Sequence, residues 1–92
     1  MATLYKSNGE TIEVEPKDGK HFQLRELYQM LDCELIEVIF LRDGRLIIID
    51  EEGKYTKSDI NPKATRVFLS SRRLNDDFIV GDALVCSSEQ FN

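Results

Sequence analysis

The chain has a single histidine, two cysteines and no tryptophan. Each scarcity removes a class of chemistry. Hydrolytic catalysis ordinarily needs a nucleophile and a positioned base, most often histidine. His21 precedes a helix and has no second group beside it, so it reads as a surface or helix-start residue. Ser70 and Ser71 lack the G-x-S-x-G setting of a nucleophile elbow. No glycine-rich phosphate loop is present. Cys33 and Cys86 have none of the close spacings of a zinc site or redox motif, and both read as reduced, semi-buried thiols. A net charge of -5 argues against a general phosphate-binding surface and against nucleic-acid binding. Met1 to Lys20 is too polar to hold the apolar core of a signal peptide, and no apolar run approaches a membrane span. These absences predict a cytoplasmic protein off the membrane, not an enzyme, with no catalytic residues, metal or cofactor.

What is present describes an ordinary globular domain. The chain is 41% apolar and 32% charged over 92 residues, enough for one modest core and too little for two. The expectation is a single domain over residues 1–92 with an ordered core from about 2 to 86. Its centre is Leu35 to Asp50, LIEVIFLRDGRLIIID. Two runs rich in β-branched residues flank Asp43-Gly44, which predicts a β-hairpin closed by a type I′ turn. Leu46, Ile47, Ile48 and Ile49 are apolar in succession, the pattern of a strand covered on both faces in the middle of a sheet.

On either side the periodicities alternate. Ala2 to Ser7 and Glu10 to Glu15 are strand candidates joined at Asn8-Gly9, a second type I′ signal. Ala2 and Leu4, with Ile12 and Val14, form their buried face. Pro16 ends the hairpin. Leu24, Leu27, Tyr28 and Leu31 make the stripe of an amphipathic helix, with Gln23, Arg25, Glu26 and Gln29 on its wet side and Asp18 or Gln23 as its cap. Lys54 to Asp59 reads as loop, with room for a short edge strand near Tyr55. Asn61-Pro62 starts a second helix, with Ala64, Val67 and Phe68 facing inward and its end near Leu69. Ser70 to Asp77 is the longest loop. Phe78 to Cys86 is a last strand containing Gly81, and Ser87 to Asn92 is a polar, frayed tail. The predicted fold is α+β, ββαββαβ, a mainly antiparallel sheet of four or five strands with two helices packed on it.

Few residues qualify as a site. Glu37 lies mid-strand on an otherwise apolar face. Buried, it needs a partner and marks a site; the plainer alternative is an edge position or an ion pair with Arg25, Arg45 or Arg66. Arg72 and Arg73 form a basic pair able to grip phosphate or carboxylate, beside Asp76 and Asp77, which can satisfy them. Asp50, Glu51, Glu52 and Asp59 offer oxygen ligands to a hard cation, but without EF-hand spacing they read as a solvated turn.

The order of segments is also familiar. LYQMLDCELIEVIFLRDGRLIIIDEEGK, INPKATRVF and FIVGDALV together resemble a domain-of-unknown-function family (three-eight-four-six) of phage, plasmid and conjugative-element accessory proteins. The matching positions are Ile36-Glu37-Val38, Glu51-Glu52-Gly53, Asn61 with Ala64, and Ile79 to Leu84, within a stretch from about Ile12 to Val85. Where the family has Gly-Gly followed by an aromatic residue, this chain has Cys33-Glu34 and Leu35. The resemblance implies a mobile-element setting and brings no catalytic residues. It adds Asn61 and Asp82 to Glu37, Arg72 and Arg73 as candidate ligand- or partner-binding positions, although Asn61 also fits a helix cap and Asp82 a strand position.

The resulting expectation is a small accessory protein that binds an unidentified protein through a sheet edge or acidic face. Homodimerisation through an edge strand such as Ala2 to Ser7 is a further possibility. The alternative is a binder of small molecules or nucleotide signals that sequesters them against host defence.

Overall fold

Four apolar residues in a row can be dry on a strand only if both faces of the sheet are covered. In the computed structural model, which describes residues 2–53, 59–71 and 78–91, Leu46, Ile47 and Ile48 are buried and Ile49 is half-buried. β4 (Arg45–Asp50) carries Ile47 and Ile48, both at 0% exposure. In chain order the other elements are β1 (Ala2–Tyr5), β2 (Thr11–Val14), α1 (Leu24–Leu31), β3 (Ile36–Phe40), α2 (Pro62–Ser71), β5 (Ala83–Ser87) and α3 (Ser88–Phe91). The strands form one five-stranded sheet in the order β2-β1-β5-β4-β3, antiparallel throughout. The α+β fold is the one the sequence predicts, extended at its C-terminal end by the short helix α3.

Alternation along β4 divides the core in two. Leu46 and Ile48 join Ala2, Leu4, Leu84 and Cys86 beneath Phe22, Leu27 and Leu31 on the α1 side. Ile47, with Ile49 at its margin, joins Leu41, Ile79, Ala83 and Val85 beneath Ala64 and Phe68 of α2. A fully buried Leu or Ile contributes roughly 1.5–3 kcal/mol, so these two layers hold the helices to the sheet.

Several expectations need correction. Both hairpins close differently. Gly9 and Gly44 have positive φ, whereas Asn8 and Asp43 do not, so neither turn is type I′. Gly9 N–H donates to Lys6 O and Lys6 N–H to Glu10 O; Gly44 N–H donates to Leu41 O and Leu41 N–H to Arg45 O. Each is a three-residue loop in which a left-handed glycine follows a tight turn, a geometry that tolerates Asn or Asp at ordinary dihedrals before it. In α1, Leu24 is 54% exposed and outside the stripe. Glu26, assigned to the wet side, is buried. Its Oε1 accepts Gln23 N–H at 2.8 Å and its Oε2 accepts Lys17 N–H at 3.2 Å, so the carboxylate ties the helix start to the chain after Pro16. Asp18 instead collects Lys20 and His21 N–H groups in the preceding turn. Those bonds, His21's first, hold its carboxyl below the usual range.

Ile12 is 41% exposed, because β2 lies at the sheet's edge. α2 runs on to Ser71, so Ser70 and Ser71 are helical. The last strand begins only at Ala83; the segment before it makes an isolated bridge, Ile60 to Val80. The polar tail is not frayed through 91: α3 packs Phe91 on the first core, and Gln90 O accepts Phe22 N–H at 2.7 Å. β1 is an interior strand between β2 and β5, so Ala2 to Ser7 cannot be the pairing edge; the edges are β2 and β3. Positions 54–58, which include the proposed Tyr55 strand, and 72–77 lie outside the described residues.

Burial pushes the Cys86 thiol up to about 11. Deprotonation is therefore disfavoured in the folded chain, and the associated stability is full below pH 9 and lost as pH rises towards 11. Native protein at pH 8 should leave Cys86 unlabelled by a thiol reagent, and unfolding should expose it. The loss of stability between pH 9 and 11 should be shallower in Cys86→Ala than in the parent, as followed by denaturant titration.

Candidate functional site

Of the five residues singled out, the fold brings Asn61 and Asp82 together at the ends of β1 and β5. Asn61 is completely buried and every polar group on it is used. Its Nδ2 donates to Tyr5 O at 2.7 Å and to Gly81 O at 2.8 Å. Its Oδ1 accepts Ala64 N–H at 3.1 Å, the bond of an N-cap. On the backbone, Asn61 N–H donates to Ile79 O at 2.7 Å and Thr65 N–H donates to Asn61 O at 2.9 Å. Pro62, at the first helical position, has no N–H to satisfy. One side chain thus joins α2, β1 and the approach to β5.

Neighbouring bonds reinforce the same joint. Gly81 N–H donates to Asp59 O at 2.9 Å, and Ile79 N–H donates to Thr65 Oγ1 at 2.8 Å. Gly81 has φ of 80°, a conformation that favours a residue without a Cβ. Asp82 Oδ1 accepts Ser7 N–H at 2.9 Å, and its Oδ2 lies 3.5 Å from Lys6 Nζ. The carboxylate anchors the loop after β1. These residues form a clasp with no polar group of Asn61 left over for a ligand.

Glu37 stands apart. It is exposed on β3, two strands from the clasp, opposite Ile49. The edge alternative describes its placement and the buried carboxylate does not; Arg45 pairs with Asp43 in the adjacent turn. Arg72 and Arg73 lie outside the described residues. Asp50 is buried, and its Oδ1 accepts Glu52 N–H at 2.9 Å, a turn-forming bond.

The two sheet edges differ sharply. Leu35 O accepts Glu51 N–H at 3.0 Å and Leu41 N–H donates to Arg45 O at 2.9 Å. Odd-numbered residues of β3 therefore turn their backbone groups to β4, and the alternation of an antiparallel ladder turns those of Ile36, Val38 and Phe40 outward. Glu37 is the only charge within that strand; Phe40 is 69% exposed and Leu35, just before it, 47%. On β2 the outward groups belong to Thr11 and Glu13, flanked by Glu10, Glu15 and Pro16. Charge and proline protect that edge from strand pairing. Among the described residues the β3 edge has little such protection.

The family described as "Domain of unknown function (DUF3846)" matches residues 1–91. The chain belongs to that family. No curated protein and no solved structure matches it. In this DUF3846 domain, several positions that carry the resemblance are structural. Asn61 and Ala64 begin α2, and Gly81 and Asp82 complete the clasp. A Cβ at Gly53 would meet Val80 O at 3.2 Å. The sequence reading missed Glu26, Thr65 and the apolar exposure of the β3 edge. Gln23 and Glu26 do have the spacing of a capping box; nothing near Thr65 marks its bond to a segment 14 residues away.

Replacing Asn61 by Ala removes an N-cap worth about 1 kcal/mol and two carbonyl bonds worth about 1 kcal/mol each, so roughly 3 kcal/mol should be lost. Asn61→Asp keeps the cap acceptor but sets oxygen against two carbonyls, and should cost at least as much. Asp82→Ala should cost about 1 kcal/mol, and Glu37→Ala close to none. Urea denaturation of the four variants checks the ranking.

Proposed function

We propose that this DUF3846 domain is a non-enzymatic protein-binding module that docks a partner by adding a strand to β3. The observation that carries this reading is the β3 ladder, which no described residue pairs on its outer side, beside exposed Leu35 and Phe40, on a sheet whose other edge is guarded. Strand addition draws affinity from main-chain hydrogen bonds and specificity from alternate side chains. In favour of a role without catalysis, Asn61 and Asp82 are committed to the clasp. The setting we propose, an accessory protein of a phage, plasmid or conjugative element, rests on the family resemblance. The nucleotide-sequestering alternative rests on Arg72 and Arg73, an inward-facing Glu37 and the mobile-element setting; Arg72 and Arg73 lie outside the described residues and Glu37 is exposed, so no described geometry favours it.

Cross-linking of tagged protein in host lysate, followed by mass spectrometry, tests the docking strand. Cross-links should map around β3 and be lost in Phe40→Lys, a change at an exposed position that should leave the fold intact by circular dichroism. Cross-links confined to β2 or α2, or unaffected by Phe40→Lys, would overturn the reading.

A further inference from the structure

We infer that the strand added at β3 is β3 of a second copy of this chain, paired antiparallel about a two-fold axis at Val38. This rests on the β3 docking reading and names its occupant. The register is fixed by the backbone. The outward-facing residues are Ile36, Val38 and Phe40, deduced from the bonds of Leu35 and Leu41 to β4. Only a two-fold at Val38 gives all three a partner: Val38 meets its own copy, and Ile36 meets Phe40 in both directions. A two-fold at Ile36 or Phe40 leaves part of the ladder open. One at Glu37 places two carboxylates directly opposite each other, which is destabilising.

Side chains fit the same register. Phe40, 69% exposed in the single chain, lies over Ile36 of the second copy, which already packs on the α1-side core. Glu37 faces Ile39 rather than another acid, and Leu35 faces Leu41. Beyond the strand ends, exposed Glu34 and exposed Arg42, the first residue of the β3–β4 loop, bring opposite charges near each end of the paired ladder. Shape, hydrogen bonding and charge are thus self-complementary, as an isologous interface requires. The sheet continues through both copies, ending at a guarded β2 edge on each side, so pairing stops at two. A five-residue ladder belongs to the small class of specific interfaces, below ~1,200 Å². A dimer with a dissociation constant in the micromolar range is expected, on the order of 1–100 μM.

Sedimentation equilibrium over a concentration series reads this directly. The parent should pass from monomer to dimer, and Phe40→Lys should raise the dissociation constant by about tenfold or more. Glu34→Arg alone should weaken the dimer by roughly threefold to tenfold, and adding Arg42→Glu should restore it. Val38→Pro removes a central outward N–H and should abolish pairing; thermal melting establishes that it is folded. A monomer at every concentration, or a dimer indifferent to Phe40→Lys and the Glu34/Arg42 exchange, overturns self-pairing. If the chain is monomeric yet partner cross-links at β3 remain Phe40-dependent, self-pairing alone fails and the docking strand stands. If both are absent, both readings fall.

Discussion

The side-chain amide of Asn61 holds three parts of the chain in one place. α2 needs an N-cap, β1 must be fastened where it leaves the sheet, and the left-handed turn at Gly81 must be held before β5 can begin. An amide is the one small side chain that donates twice and accepts at the same time. Its two donors reach Tyr5 and Gly81 and its acceptor takes Ala64 N–H. In a dry setting such bonds are electrostatically strong, and losing any of them strands a polar group. Asp82 and Thr65 secure the same joint from either side, through Ser7 and Ile79.

That joint decides which surfaces remain for function. With α2 fastened over one face and α1 over the other, both faces around β4 and β5 are closed. Interaction by the sheet is thereby directed to its edges. β2 ends in glutamates and a proline, while β3, beside exposed Leu35 and Phe40, has no outer partner among the described residues. The polar motif positions Asn61 and Asp82 serve the clasp. Function read from backbone left unpaired looks at β3.

Much of this was legible in the residues. The run Leu46 to Ile49 could be dry only inside a two-faced sheet, and Asn61-Pro62 has the chemistry of a helix start. Local pattern could not distinguish a type I′ turn from a three-residue loop, since Asn-Gly and Asp-Gly suit both and the choice depends on the strand register. Nor could it place β1, because antiparallel order is set by β5 inserting between β1 and β4 from far along the chain. Glu26 and Leu24 were exchanged for a related reason: a periodic stripe shows which side of a helix is apolar, not that an acid on its margin will be drawn in by free N–H groups at Lys17 and Gln23. The contrast between the edges became visible only once strand order was known.

Hydrogen exchange of the Asn61 side-chain amide, followed by NMR, tests the clasp at its centre. Both Nδ2 protons should be as slow to exchange as the backbone amides of β4 and β5, opening only with global unfolding. Exchange at the rate of an exposed asparagine, with β4 and β5 still protected, would contradict the account.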